Sequence, residues 1–480
     1  MPRLRIIHLA VIVALLPSCA LIGPDFFRPK VAMPAQYGVE ASSQEKLALT
    51  DTWWTLYNDA TLNDLIAKAL QNNTDIKLAV ARIEQAGAFS REVGAALFPQ
   101  IDLDGNATRT RVTQLGSTPQ ISSVQPVRND FRLAVGTSFE IDFWGKLRRA
   151  KESARAQALS SRYAKDTVGL SLSSLIANNY LQLRSLEAQI ALSRDNLRSR
   201  DESLALTKRR LEGGVASNLD VQQAQVSSSN LTAQIIELAR QREITLHQLA
   251  LLTGDLGLTL AKSDIKNLPI PPIPPAGLPS ALLENRPDIA QAEQDLVAAN
   301  ANIGVAKAAL YPTISLTGFF GGESKDLGDI LKSAARIWSG GLTLNLPIFD
   351  SGRLNSRVDQ VTAQQKQVLA SYEGAVRTAF TEVNDALVNV RQTTEREAAL
   401  DKSQLAAKEA LRISENRYKS GYTAYLDVLD AQRVFNDTSL SFIQSRQARL
   451  MASVDLFKAL GGGWQAEDKQ PNETKAKTTK

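Results

Sequence analysis

The sequence predicts an α+β membrane protein made of two copies of one unit, each a pair of β-strands joined to a very long helical hairpin. The duplication is direct, because residues 211–221 (LEGGVASNLDV) return as 418–428 (YKSGYTAYLDV), and 96–101 (ALFPQI) return as 309–314 (ALYPTI). The copies lie roughly 210 residues apart, far beyond the period of a solenoid repeat. One large unit has been duplicated, so internal pseudo-symmetry is expected.

Each copy contains two segments in which apolar and polar residues alternate. In the first copy these are residues 101–104 and 131–139, and in the second they are 313–320 and 340–348. Alternation with a period of two predicts strands with one apolar face, long enough to cross a membrane at a tilt. The side chains expected to face lipid are Phe131, Leu133, Val135, Leu316, Leu342, Leu344 and Leu346.

Heptad patterns after each strand pair predict long helices with coiled-coil packing. The heptad positions are Leu183, Ile190, Leu197, Leu204 and Leu211 in the first copy, and Val361, Val368, Val376, Val383 and Val390 in the second. One uninterrupted helix is predicted over residues 353–419. The long helices are expected to end at Gly213-Gly214 and Gly421, and the returning helices to start at the capping hydroxyls of Ser217 and Thr423.

Composition supports neither catalysis nor nucleic-acid binding. Lys and Arg number 55 against 50 Asp and Glu, and a formal charge of +5 is too small for this length to indicate a nucleic-acid partner. The histidines are His8 and His247, the single cysteine is Cys19, and no phosphate-binding glycine motif occurs. The sequence therefore predicts a protein that is not an enzyme and has no metal site and no cofactor.

The N-terminus predicts a lipoprotein. Residues 1–18 combine Arg3 and Arg5 with an apolar run too short to span a bilayer, as in a secretion signal. The run ends in LPSC, which resembles a lipobox, so diacylglycerol and an N-acyl chain are predicted on Cys19. A chance cysteine after an ordinary signal is the alternative. Ala20, in place of an aspartate, favours the outer membrane.

These patterns divide the chain into six segments. They are a signal peptide (1–18), a lipidated extended segment (19–60), the first repeat (61–261), a proline-rich linker (262–279), the second repeat (280–464) and a disordered tail (465–480). One chain thus supplies four strands, whereas outer-membrane barrels have at least about eight. Because an open sheet edge is not tolerated in hydrocarbon, several copies are expected to assemble around an axis.

Together these features resemble the TolC-type outer-membrane efflux proteins, in their OprM/NodT-like lipoprotein branch. The resemblance covers essentially the whole mature chain. Its landmarks besides the lipobox are GPDF at 23–26, WW at 53–54, NRPDI at 285–289, LYP at 310–312 and LDVLDAQ at 426–432. It implies a homotrimer with a shared 12-stranded barrel that continues into a periplasmic α-helical barrel. It also implies docking to a periplasmic adaptor and an inner-membrane pump of the RND type.

The resemblance implies a gate at the periplasmic tips of the hairpins. Asp427 and Asp430 match the family's acidic ring, whose six carboxylates would attract cations; solvated charges at a helix start are the alternative. Tyr418 and Asp220 match residues whose hydrogen bonds hold the hairpins closed, with packing and capping as the alternative. Thr423 stands where TolC has an arginine, so this part of the latch lacks its family residue.

The turn glycines and a tryptophan pair are the remaining candidates. Gly213, Gly214 and Gly421 mark the tips that family adaptors grip, and the turns themselves also need these glycines. Trp53 and Trp54 are expected to pack rather than to act.

The favoured function is passive export of small molecules, drugs or toxic compounds, as the outer-membrane channel of a tripartite efflux system. The alternatives are a duct for type I protein secretion or for metal-ion efflux, and a lipid-anchored coiled-coil scaffold. A scaffold has no need of lipid-facing strands in both copies, so the strands favour the channel.

Overall fold

The computed structural model describes residues 21–38, 50–113, 125–273 and 281–465. Cys19, the signal peptide, the predicted tail beyond residue 465 and part of the proline-rich linker lie outside these residues. In chain order the elements are α1 (Ala60–Asn72), α2 (Thr74–Ala95), β1 (Gln100–Arg111), β2 (Val127–Ile141), α3 (Lys146–Glu212), α4 (Asn218–Thr253), α5 (Leu282–Asn285), α6 (Pro287–Ala308), β3 (Thr313–Ser324), β4 (Arg336–Asn345), α7 (Arg353–Lys419) and α8 (Tyr425–Ala459).

The four strands form one antiparallel sheet in the order β1-β2-β3-β4, which confirms the two predicted strand pairs. The predicted bounds of β3 and β4 were wrong by several residues. β3 continues through Gly321, where any Cβ would collide with the carbonyl oxygen of Leu133, so only glycine permits this close pairing. β4 ends at Asn345, because Pro347 has no N–H to donate to a strand ladder.

The sheet has an apolar face and a polar face. The continuous one-to-one register puts Phe131, Leu133, Val135, Leu316, Leu342 and Leu344 on the apolar face, and Leu346 follows the end of β4. All of these are exposed except Phe131, which is half-buried. The polar face carries Asp102, Asp104, Arg132 and Glu140. An exposed apolar surface that runs across a whole sheet requires an apolar solvent or partner.

The two long helices are equal in length. α3 and α7 have 67 residues each, and α7 has the bounds that the sequence predicts. The heptad residues Leu183, Ile190, Val376 and Val383 are buried, which confirms the predicted packing, whereas Leu211 near the end of α3 is exposed. Within the described residues, no helix combines the length and hydropathy that a membrane span needs.

The chain divides into two compact units, and each contains segments of both sequence copies. Unit 1 comprises Met1–Pro29, Arg82–Ser161 and Ala292–Tyr372, and it contains the sheet. Unit 2 comprises Lys30–Ala81, Arg162–Gln291 and Glu373–Lys480, and it contains the turns of both helical hairpins.

An aromatic cluster lies in the main core of unit 2. Trp53 is fully buried and stacks on Phe457 with 5.4 Å between ring centroids, and Trp54 packs against the same core. The hydroxyl of Tyr57 lies 2.6 Å from Ser453 Oγ, which satisfies its hydrogen bond inside the core. This confirms that the tryptophan pair packs.

A buried glutamate in unit 2 holds the start of the segment between the two copies. Glu187 of α3 accepts from Arg184 at 2.7 Å and from Arg242 of α4 at 3.0 Å. Arg184 also donates to the carbonyl of Ala261, and the N–H of Ser263 donates to Glu187. The junction therefore ties two helices and the linker together.

A second junction of the same kind holds the linker further along. Glu397 of α7 accepts from Arg446 at 3.0 Å and from Arg449 of α8 at 2.8 Å, and Arg446 donates to the carbonyl of Leu268. Arg449 occupies the position in α8 that Arg242 occupies in α4. Each copy thus has a buried glutamate paired with two arginines, and the two junctions hold the linker at two points.

The N-terminal extended segment is fixed within unit 1. Arg149 is buried and pairs with Asp25 at 2.7 Å, and Asn300 donates to the carbonyl of Pro24 at 2.8 Å. Gly23 packs directly on Gly304 of α6. A side chain at either glycine would displace the segment, so the segment depends on both.

We expect Gly304→Ala to destabilise the protein by about 1–3 kcal/mol through overpacking. The new Cβ would lie 2.8 Å from both the carbonyl oxygen of Ile22 and Cγ of Arg149. Thermal unfolding in detergent measures the effect, with Gly374→Ala as the matched helical control, because nothing lies within 4 Å of a Cβ there. Equal melting temperatures for the two variants would show that the segment is not tightly packed.

Candidate functional site: the hairpin tips

The first hairpin turns through a capped glycine loop. Gly214 has φ of +73°, which favours glycine, and nothing lies within 4 Å of a Cβ built on it. Ser217 then caps α4 and forms a capping box with Asp220, whose carboxylate accepts from the Ser217 N–H. The predicted cap at Ser217 is confirmed, and Asp220 serves as its partner.

The second hairpin restarts differently from the prediction. Gly421 has φ of +79°, as the turn requires, but the cap of α8 is Ala424, which makes no side-chain capping bond. The Thr423 hydroxyl instead donates to the Asp427 carboxylate. The predicted cap at Thr423 was therefore wrong, because the turn runs one residue further than predicted and the Thr423 hydroxyl binds a side chain in the first turn of α8.

Arg210 joins the two hairpins and was not singled out from the sequence. Its guanidinium donates to the carbonyls of Tyr418 and Lys419, both at 3.1 Å, and lies 4.3 Å from the centroid of the Tyr418 ring. The Tyr418 hydroxyl lies 3.4 Å from the Thr207 hydroxyl. Arg210 thus binds two carbonyls at the end of α7, and the Tyr418 carbonyl also accepts from the Gly421 N–H in the turn. A basic residue in the last turn of α3 was the available signal.

Tyr418 and Asp220 both lie at the tips, but no hydrogen bond joins them among the described residues. Tyr418 packs instead on Tyr425, with 5.5 Å between ring centroids, inside an apolar cluster with Leu204 and Val428. Burial raises the pKa of Tyr425 to about 12, and the nearby Tyr418 acts in the same direction. The second hairpin therefore contributes two tyrosines to a packed seam.

The two candidate ring aspartates have different surroundings. Both are exposed and lie three positions apart on α8. Asp427 accepts from Thr423, whereas Asp430 pairs with Arg433 at 2.7 Å, and Arg433 also lies 3.6 Å from Asp437. Asp427 is therefore the ring candidate that has no basic partner among the described residues.

A cavity of about 590 Å³ lies between α4 and α8 beside these charges. Arg200 lines it, is buried, and donates to the carbonyl of Ser227 at 2.9 Å, while its Nε has no partner among the described residues. Burial lowers the pKa of Arg200, and the nearby Asp437 opposes that shift. Within the described part of the chain, no group of His, Cys, Asp and Glu has the arrangement to hold a metal ion.

A sheet with an exposed apolar face, attached to long coiled-coil hairpins with exposed aspartates at the second tip, defines a membrane-embedded export channel subunit. The chain belongs to the outer membrane efflux protein family, whose model matches residues 65–255 and 278–462. It is therefore an outer-membrane protein that extends into the periplasm, as the sequence predicted.

Known proteins resemble the chain along nearly its whole length. The toluene efflux pump outer membrane protein TtgC of Pseudomonas putida is 33% identical over 476 residues, covering 98% of this chain and 97% of the relative. The cation efflux system protein CusC of Escherichia coli is 30% identical over 467 residues, covering 94% and 99%. The outer-membrane channel OprN matches in structure with a TM-score of 0.86 and 30% identity, covering 93% and 100%.

Proposed function

We propose that three copies of the chain form a passive duct through the outer membrane. The observation that carries this proposal is the four-stranded sheet, which leaves β1 and β4 as unpaired edges beside an exposed apolar face. In hydrocarbon such edges must be paired, and pairing β4 of one copy with β1 of the next closes a 12-stranded barrel. The helical hairpins would then form the periplasmic part of the duct.

Energy for export would come from partners. The chain has no nucleotide-binding motif. A periplasmic adaptor would contact the hairpin tips at Gly213, Gly214 and Gly421, and an inner-membrane pump of the RND type would load the duct. A lipid on Cys19 would add an anchor to the outer membrane.

Small molecules are the proposed cargo. The relative TtgC is named for toluene efflux, which supports export of small toxic compounds. Metal cations are the second candidate, because CusC is named for cation efflux and Asp427 and Asp430 are exposed at the second tip. The described residues offer no metal-holding group, which favours the first candidate.

Electron microscopy of the purified chain, classified without imposed symmetry, tests the duct. Hollow particles with threefold order are the expected result. Monomers, or thin rods without a barrel, would overturn the duct and favour a lipid-anchored scaffold. An efflux-deficient strain complemented by the chain with its own adaptor and pump then separates the cargo classes, with toluene and copper as the two challenges.

The exposed aspartates Asp427 and Asp430 predict cation preference at the gate. We expect Asp427→Asn with Asp430→Asn to weaken block by a trivalent cation such as hexamminecobalt by about tenfold or more, because six clustered carboxylates become neutral in a trimer. Planar-bilayer conductance measures the block. Asp401→Asn, an exposed aspartate on α7, is the matched control and should leave the block unchanged. Equal block in both variants would exclude the acidic ring.

A further inference from the structure

The apolar face of the sheet carries charge at one end only. Its charged residues are Arg109 and Arg111 of β1 and Arg336 of β4, and no acidic residue lies on this face of the strands. The three arginines lie toward the strand ends that lead into hairpin loops, away from the ends that lead into helices. The acidic residues of the strands are all on the polar face, at Asp102, Asp104, Asp130, Glu140 and Glu323.

The three arginines are exposed and have no ion pair among the described residues. The polar stretch 114–124, which follows β1 in the chain, contains no acidic residue in its sequence that could neutralise them. The connection between β3 and β4 adds Lys325 and Lys332 against Asp326 and Asp329, which cancel, so the three arginines leave a net positive charge at this end of the apolar face.

An exposed aromatic residue lies near the charged end of the apolar face. Trp338 is 77% exposed on the same face, two positions from Arg336, and it pairs in register with Phe320. Exposed tryptophans of membrane proteins lie at the boundary between hydrocarbon and head groups. Arginines beyond this tryptophan are placed to reach head groups while their carbon stems cover apolar surface.

We propose that Arg109, Arg111 and Arg336 bind the phosphate groups of a phosphorylated glycolipid of the lipopolysaccharide type in the outer leaflet. In an outer-membrane efflux protein the helices extend into the periplasm. The strand ends that lead into hairpin loops therefore lie on the outer side of the membrane. A guanidinium binds phosphate through two parallel hydrogen bonds, and it keeps its charge at any physiological pH. A partner protein that covered this face with apolar side chains alone would not account for the three arginines.

The site rests on the proposed trimer for its full set of arginines. When β4 of one copy pairs with β1 of the next, Arg336 comes to the same seam as Arg109 and Arg111 of the neighbouring copy. Each of three seams would then present three guanidinium groups on the lipid-facing surface. Clustered cations of this kind match the two phosphates of a lipid A head group.

The test measures lipid A retained by the purified full-length protein in detergent, by mass spectrometry, with bisphosphorylated lipid A and its dephosphorylated form as probes. The wild-type protein should retain the phosphorylated form preferentially. R109Q/R111Q/R336Q should weaken that binding by roughly a hundredfold, because each basic residue contributes several-fold to binding an anionic surface. R109K/R111K/R336K keeps the charge and should retain most of the binding.

Arg128→Gln is the matched control, because Arg128 lies near the same end of the sheet on the polar face. It should bind lipid like the wild type. Wild-type protein that retains both lipid forms equally, or a glutamine variant that binds normally, overturns the site. Particle images of the same samples separate the two proposals: threefold particles without phosphate preference overturn the lipid site alone, whereas particles without threefold order overturn the duct.

Discussion

Replacing Glu397 with alanine is expected to lower the free energy of unfolding by about 3–5 kcal/mol, because it strips two arginines of a buried counter-charge. The Glu397 side chain is 8% exposed and accepts from both Arg446 and Arg449. Arg446 also donates to the carbonyl of Leu268, so loss of the carboxylate loosens the linker as well. Glu187→Ala should act similarly, because it removes the other junction.

Thermal unfolding followed by circular dichroism in detergent measures this loss. The control is Glu409→Ala on the same helix, where an exposed glutamate pairs with Arg412 at 2.6 Å. Exposed ion pairs contribute little to stability, so this variant should unfold like the wild type. If the Glu397 and Glu409 variants unfolded at the same temperature, the buried junction would contribute no net stability.

Replacing Arg210 with alanine is expected to raise the conductance of the reconstituted channel several-fold. The substitution removes two hydrogen bonds and a cation–π contact that hold the hairpins of one chain together. Hydrogen bonds to a charged group contribute about 1.5–3 kcal/mol each when buried, and less at this partly exposed site. The 3.4 Å contact of Tyr418 with Thr207 and the apolar cluster that contains Leu204 and Val428 would then link the tips.

Single-channel recording in planar bilayers measures this effect. Arg198→Ala is the matched control, because Arg198 lies on the same helix and, in the described part of the chain, forms an ion pair with the exposed Asp195 alone. It should leave conductance unchanged. Wild-type conductance in the Arg210 variant would mean that other contacts between the hairpins, such as those of the apolar cluster with Leu204 and Val428, set the width of the tip.

Local patterns predicted the elements well, because their causes lie within a few residues. Heptad spacing predicts the packing of α3 and α7, and glycine at positive φ predicts the turns that follow them. The bounds of β3 and β4 failed where Gly321 and Pro347 act through neighbouring strands rather than through side-chain alternation.

Long-range polar contacts were not predictable in the same way. Arg210 binds carbonyls roughly 210 residues later in the chain, and a surface arginine in a last helical turn looks the same whether or not such carbonyls are near. Glu187 and Glu397 could not be distinguished in the sequence from the other acidic residues of the helices, because the difference between them is burial in the folded protein. The role of Asp427 and Asp430 as an acidic ring at the gate stays a prediction.

The equal length of α3 and α7 restricts how the chain can change during evolution. Both helices run from the sheet strands to the hairpin turns, and Arg210 at the end of one binds Tyr418 at the end of the other. A deletion inherited in one copy alone would move one turn by about 1.5 Å and rotate it by about 100° per residue lost, which separates those partners. Length variants should therefore survive only as matched pairs, with compensating changes in both halves of the gene.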